Sequence, residues 1–193
     1  IGLTGIILEA KIQLRSVQSP WIHSETIPYH NLDEFFALSD SSETDWEHTV
    51  SWIDCMNGAN AKGLFARGNL SSEHTQVEPK IKDKTFPITP PISLVNKLSL
   101  PIFNFAYFHG NSLKKQPKKV HYEPFFYPLD AMHEWNKMYG PKGFYQYQSV
   151  VPKEIGKEIT QEMLNAIKKS GEGSFLAVLK TFGDRESGGM LSF

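Results

Sequence analysis

The spacing of hydrophobic and polar positions changes period several times along this chain, and each change marks an element. Residues 4–17 alternate, with Ile6, Leu8, Ala10, Ile12 and Leu14 on one side and Glu9, Lys11, Gln13 and Arg15 on the other. A period of two predicts a half-buried strand with one solvated side. Trp21 to Pro28 is a second strand candidate. Asn31 offers a side-chain cap for a short helix through about Leu38, packed through Leu32, Phe35 and Phe36. Glu47 to Asp54 and Lys62 to Arg67 read as two more strands, joined across the turn chemistry of Asn57-Gly58.

From residue 69 to 93 polar, charged and proline residues dominate and the periodicity stops. This predicts a long loop with few apolar anchors, expected to be the most mobile internal segment. Leu94 to Phe108 is apolar and aromatic, divided by Pro101, and a basic run follows at Lys114, Lys115, Lys118 and Lys119. Val120 to Tyr127 can extend as a strand, and Asp130 is expected to cap a short helix holding Met132, Trp135 and Met138 and ending at Gly140. Phe144 to Val151 reads as a strand with Phe144, Gln146, Gln148 and Val150 on one face. Residues 153–170 carry the strongest helical pattern, with Ile155, Ile159, Met163, Leu164 and Ile167 in one stripe, lysines at its end and Gly171 to stop it. Ser174 to Phe182 is a last strand candidate. The order predicts an α+β fold, an antiparallel sheet with helices packed on one face, truncated at both ends.

A length of 193 residues suits one domain, and 40% hydrophobic with 21% charged residues is the balance of an ordinary globular protein. The net charge of −1 gives no overall field favouring nucleic acid or a membrane. The single cysteine, Cys55, excludes an intrachain disulfide and reads as a packed residue, consistent with a cytoplasmic setting. No apolar run approaches the ~20 residues of a membrane span, and no signal peptide is legible. The seven histidines lack metal-ligand spacing, no Ser-His-Asp or Cys-His arrangement can be argued, and no glycine-rich loop could cradle a pyrophosphate. The chain opens at Ile1 and closes at Phe193 as if cut at both ends, so it is expected to be part of a larger protein.

The candidate chemistry is polar atoms among apolar neighbours. A strand face mixing Gln146 and Gln148 with Phe144 and Val150 needs hydrogen-bond partners that either water or a polar ligand could supply. Lys180 shares a face with Leu176, Val178 and Phe182, and must pair, reach water or lose its charge. Trp52 and Trp135 read from the residues alone as core side chains. The basic run suits a solvated loop; a second reading has it and the apolar 94–108 segment meeting an anionic membrane surface as a peripheral contact.

Four segments in order carry a family resemblance: Gly2-Leu3-Thr4-Gly5-Ile6-Ile7; Ser51-Trp52-Ile53-Asp54; Tyr127-Pro128-Leu129-Asp130 with Glu134-Trp135-Asn136 and Tyr139-Gly140-Pro141-Lys142-Gly143-Phe144-Tyr145-Gln146-Tyr147-Gln148; and Ser174 through Gly183. Together they resemble the substrate-binding (cap) domain of the vanillyl-alcohol-oxidase-type FAD-linked oxidoreductases, in the branch that oxidises a sugar during cell-wall arabinan synthesis. The resemblance implies that residues 1–193 form one cap domain, with the FAD-binding domain before Ile1 and no catalytic residue within this chain. It implies a flavin that takes a hydride from a sugar or polyol hydroxyl carbon, leaving a ketone. The substrate would be a small sugar, a polyol or a lipid-phosphate sugar. Gln146, Gln148, Lys180, Phe182, Trp135, Lys137, Trp52, Met132 and Phe126 would then line the substrate pocket, and Gly5, Ile6 and Ile7 would meet FAD. The family carries arginine where Lys137 stands, and tyrosine where Phe126 stands, so a fork geometry and a hydroxyl are missing here. The alternative is a small ligand-binding or interaction module without a redox role. A glycine-rich FAD domain encoded just before Ile1 would decide for the first reading, and a native start near Ile1 for the second.

Overall fold

The computed structural model describes residues 5–73, 84–114 and 117–183. Its centre is a five-stranded antiparallel sheet in the order β5-β1-β3-β2-β7. These strands are β1 (Trp21–Tyr29), β2 (His48–Ile53), β3 (Gly63–Leu70), β5 (Lys118–His121) and β7 (Val178–Leu179). A small parallel pair joins β4 (Lys84–Thr85) to β6 (Met132–His133). The helices are α1 (Leu32–Ser42), α2 (Ser99–Ser112), α3 (Tyr122–Phe126) and α4 (Gly156–Ser170). The expected α+β class and antiparallel sheet are what the chain forms.

The start of α1 is fixed by its own side chains. Asn31 Oδ1 accepts from Glu34 N–H at 2.9 Å, while the Glu34 carboxylate accepts from His30 N–H at 2.7 Å. This reciprocal capping satisfies donors that a helix start leaves free. Leu32 and Phe35 are then buried against the sheet, Phe35 on Tyr29 and Phe65. The stripe expected on α4 buries Leu164 into a cluster with Leu32, Ile53, Cys55 and Ala61, with Ile167 and Leu179 packed around it. Each such large side chain taken from water contributes roughly 1.5–3 kcal/mol. Helix α4 stops where expected: Gly171 has φ 69°, a left-handed conformation that glycine adopts without a Cβ clash, and its N–H bonds Ile167 C=O at 3.0 Å. Helices α1 and α4 thus cover one sheet face. On the other face, α2 sends Leu100, Asn104 and Phe108 inward, and α3 lays Phe125 and Phe126 against His48.

Several sequence expectations are corrected. Residues 5–17 form no strand, and Ile6, Leu8, Ile12 and Leu14 are 80–93% exposed. Alternation predicts a surface that would fit a sheet, but it does not supply the neighbouring strand that pairing needs. Phe144 to Val151 likewise joins no sheet. Of the 174–182 segment only Val178 and Leu179 form a strand, at the sheet edge against Trp52 and Ser51, with Ala177 C=O accepting from Ile53 N–H beside them. The 120–127 segment leaves the sheet after His121, because the aromatic run Tyr122–Phe126 turns into α3 and folds back over β2. Asp130 caps no helix; a 3-10 turn starts instead at Trp135, entered through Glu134 at φ 58°. Pro101 does not divide the apolar segment, since it lies in the first turn of α2, where a missing N–H costs nothing. In the expected 69–93 loop, Asn69 and Leu70 belong to β3, Lys84 and Thr85 to β4, and 74–83 fall outside the described residues.

Candidate functional site

Strand register decides which side chains share the less covered sheet face. In β2 and β3, Trp52 opposes Leu64, Val50 opposes Ala66 and His48 opposes Gly68, so these six lie on one side. Trp52 also opposes Val178 across the β2–β7 pair. Two residues further, Lys180 continues on the side of Val178, and extending the same register sets it beside Val50. The next residue supports that direction, because the Thr181 hydroxyl bonds the Ser39 hydroxyl of α1 on the opposite side. Lys180 and Phe182 are exposed there, while Trp52 and Val50 are half-buried.

Trp52 is held firmly. Its indole Nε1–H donates to Phe175 C=O at 2.8 Å, and its ring lies 4.9 Å from Tyr107 of α2. Tyr107 stacks on Phe103 at 5.7 Å with an interplanar angle of 15°, and Phe103 meets Phe175 edge-on at 5.7 Å. Phe175 then contacts Trp135 at 6.3 Å and Tyr139 at 5.9 Å, and Phe144 closes the array on both, 4.4 Å from Tyr139. The two candidate tryptophans, far apart in sequence, thus belong to one aromatic array. Burial raises the Tyr107 phenol above its ordinary pKa, so it remains a neutral donor. At the far end of β2, Phe126 packs edge-on against His48 at 4.9 Å. Burial lowers the His48 pKa, and its Nε2 lies 3.7 Å from the Glu47 carboxylate.

The remaining candidates stand apart from this face. Gln146 and Gln148 are exposed, on the unpaired segment that leaves the array at Phe144. Lys137 is already matched with Glu134 at 2.8 Å, and it lines an open recess of about 410 Å3 with Asn136, Gly140, Gly143, Phe144 and Thr89. Met132 spends its backbone on the β4–β6 pair and is 38% exposed. Gly5, Ile6 and Ile7 lie exposed in the unpaired N-terminal run, and among the described residues nothing beyond its chain neighbours comes within 4 Å of where a Cβ on Gly5 would sit. Sequence reading singled out neither Phe103 nor Tyr107 as a site residue, although their i, i+4 spacing in an apolar segment puts both on one helix side.

The geometry is that of a half-open apolar and aromatic wall with one exposed cation, suited to binding a ring rather than to acid–base chemistry on its own. No protein-family profile matches the chain. Over 195 aligned positions it is 32% identical to the decaprenylphosphoryl-beta-D-ribose oxidase of Mycolicibacterium smegmatis, an alignment that takes in 94% of this chain and 42% of that protein. The chain therefore spans less than half the length of the relative it matches. Across nearly all of its own length, this chain is a relative of decaprenylphosphoryl-beta-D-ribose oxidase, the sugar-oxidising branch that its motifs resemble.

Proposed function

We propose that this chain is the substrate-binding part of an FAD-linked oxidoreductase that converts a sugar or polyol hydroxyl to a ketone. The observation that supports the reading is the sheet face left open by α1 and α4, where Trp52 opposes Val178, two residues before the exposed Lys180, and Phe126 packs on His48 at the far edge. An aromatic wall stacks on the apolar face of a sugar ring, and an exposed ammonium bonds a hydroxyl or phosphate oxygen. Gln146 and Gln148 would close over the substrate from the neighbouring segment, with Lys137, Met132 and Phe182 at the margin. The relative's name points to a polyprenyl-phosphate sugar as the substrate class.

Oxidation of a hydroxyl carbon needs an acceptor for two electrons, and the family resemblance makes that acceptor FAD. Among the described residues no glycine-rich loop opens a helix in the manner of a phosphate cradle; Gly156, at the start of α4, is buried with Phe36 beside it. The cofactor would be held by the remainder of the longer protein, with Gly5, Ile6 and Ile7 at its edge, and the role of this chain is to bind and orient. A cytoplasmic setting accords with the single cysteine.

The test is a titration of the 15N-labelled chain with a short-prenyl phosphoryl ribose. The Trp52 indole N–H and the backbone amides of 178–182 should shift. The indole of Trp46 should not, since it lies under the Arg67 guanidinium on the face covered by α1. Shifts confined to other surfaces, or none at saturating ligand, would overturn the reading.

A further inference from the structure

Helix α2 is apolar on both sides. Leu100, Asn104 and Phe108 face the sheet. On the outer side, Leu98, Ile102, Phe105 and Leu113 recur at helical spacing and are 82%, 73%, 62% and 85% exposed. An apolar stripe of this kind is normally covered. Along the sequence, the charge on either side of it has one sign. From residue 84 to residue 122 the sequence holds Lys84, Lys97, Lys114, Lys115, Lys118 and Lys119 and no aspartate or glutamate, in a chain whose net charge is −1. Lys119 is matched by Glu73, but among the described residues no ion pair joins Lys62, Lys114 or Lys118 to a carboxylate. Burial, and to a smaller extent the nearby Lys114 ammonium, lowers the Lys118 pKa. Lys62 reaches over the Phe108 and Phe105 rings at 4.5 and 5.8 Å, at the border of the stripe.

We propose that α2 lies flat on an anionic lipid bilayer, with Leu98, Ile102, Phe105 and Leu113 in the acyl boundary and Lys62 and Lys114 at its border on lipid phosphates. A protruding apolar row bordered by cations is the composition of an interfacial helix. No helix among the described residues is long and apolar enough to cross a membrane. A second copy of the chain would bring the same unmatched lysines against each other, which disfavours stripe-to-stripe pairing. The inference stands on charge and exposure alone and is independent of the oxidoreductase reading.

The experiment is co-sedimentation of the 193-residue chain with vesicles of phosphatidylcholine alone or mixed equally with phosphatidylglycerol, alongside light-scattering mass measurement without lipid. The chain should pellet with the anionic vesicles, about tenfold or more above the neutral ones, and high salt should release it. The double change Ile102→Ser with Phe105→Ser should lower partitioning about tenfold or more while leaving the circular dichroism spectrum and melting temperature in place, because both side chains point outward. Lys114→Glu should weaken binding to anionic vesicles only. Equal pelleting of parent and double variant would overturn the proposal. So would absence of binding, or a dimer that the double variant dissociates with no vesicle binding by the parent.

Discussion

Asp54 joins three elements at the edge of the sheet. Its carboxylate accepts from Asn104 Nδ2 of α2 at 2.6 Å, from Asn57 Nδ2 at 2.6 Å and from Met56 N–H at 3.2 Å, and the residue is 5% exposed. Asn104 Oδ1 is buried without a partner, so Asp54 is what holds that amide in place. Asp54→Ala should therefore destabilise the fold by about 2–4 kcal/mol in urea denaturation, because charge-assisted bonds are lost and buried amide donors are left unmatched. His48 makes a different prediction. Burial lowers its folded pKa below the ordinary value of 6.5, against a smaller opposing effect of Glu47 and a further lowering by Arg15. In the pH range between the two values the unfolded chain binds more protons, so this contribution to stability is complete above about pH 6.5 and declines as pH falls through that range. The melting temperature should drop on going from pH 7 to pH 5, and His48→Phe should flatten that slope. An unchanged slope would remove His48 from the account.

Elements with an internal cause were legible in the sequence. The Asn31 cap, the α4 stripe and the Gly171 stop each rest on residues within a few positions of one another, and each appears where the pattern set it. Elements that depend on a distant partner were not. The alternation at 5–17 and 144–151 gives no information on whether a neighbouring strand exists, and neither segment pairs. The same limit shaped the site. Period-two spacing sufficed to put Lys180 on the side of Val178, but Trp52 and Phe175 meet across 123 positions, a contact that local pattern cannot encode. Close strand packing at Gly63 supplies a test at this scale. A Cβ there would fall 2.2 Å from the Trp52 carbonyl and 2.2 Å from the Tyr29 hydroxyl, which itself bonds Ser51 Oγ at 2.7 Å. Gly63→Ala should break the Tyr29–Ser51 bond and lower stability by about 2 kcal/mol or more, read from the denaturation midpoint. A neutral result would mean that the β1–β3–β2 spacing is looser than described.

At the scale of the whole molecule, the two sheet faces divide the work. One is covered by α1 and α4 and carries the apolar core; the other is partly roofed by α2 and α3 and remains open around Trp52, Val50 and Val178. On the function proposed above, the open face binds the substrate of a longer oxidase, with Lys180 as its cation. Because Lys180 is exposed and outside the hydrophobic clusters, its removal should leave folding almost untouched. The most direct measurement is therefore paired, on Lys180→Ala in the longer oxidase that the proposed function implies: steady-state oxidation of a polyprenyl-phosphoryl ribose, and a thermal melt of the same preparation. Loss of one charge-assisted bond to a substrate oxygen should lower kcat/KM about ten- to hundredfold with the melting temperature unchanged. Unchanged kinetics, or a loss of activity that follows a fall in melting temperature, would contradict the claim.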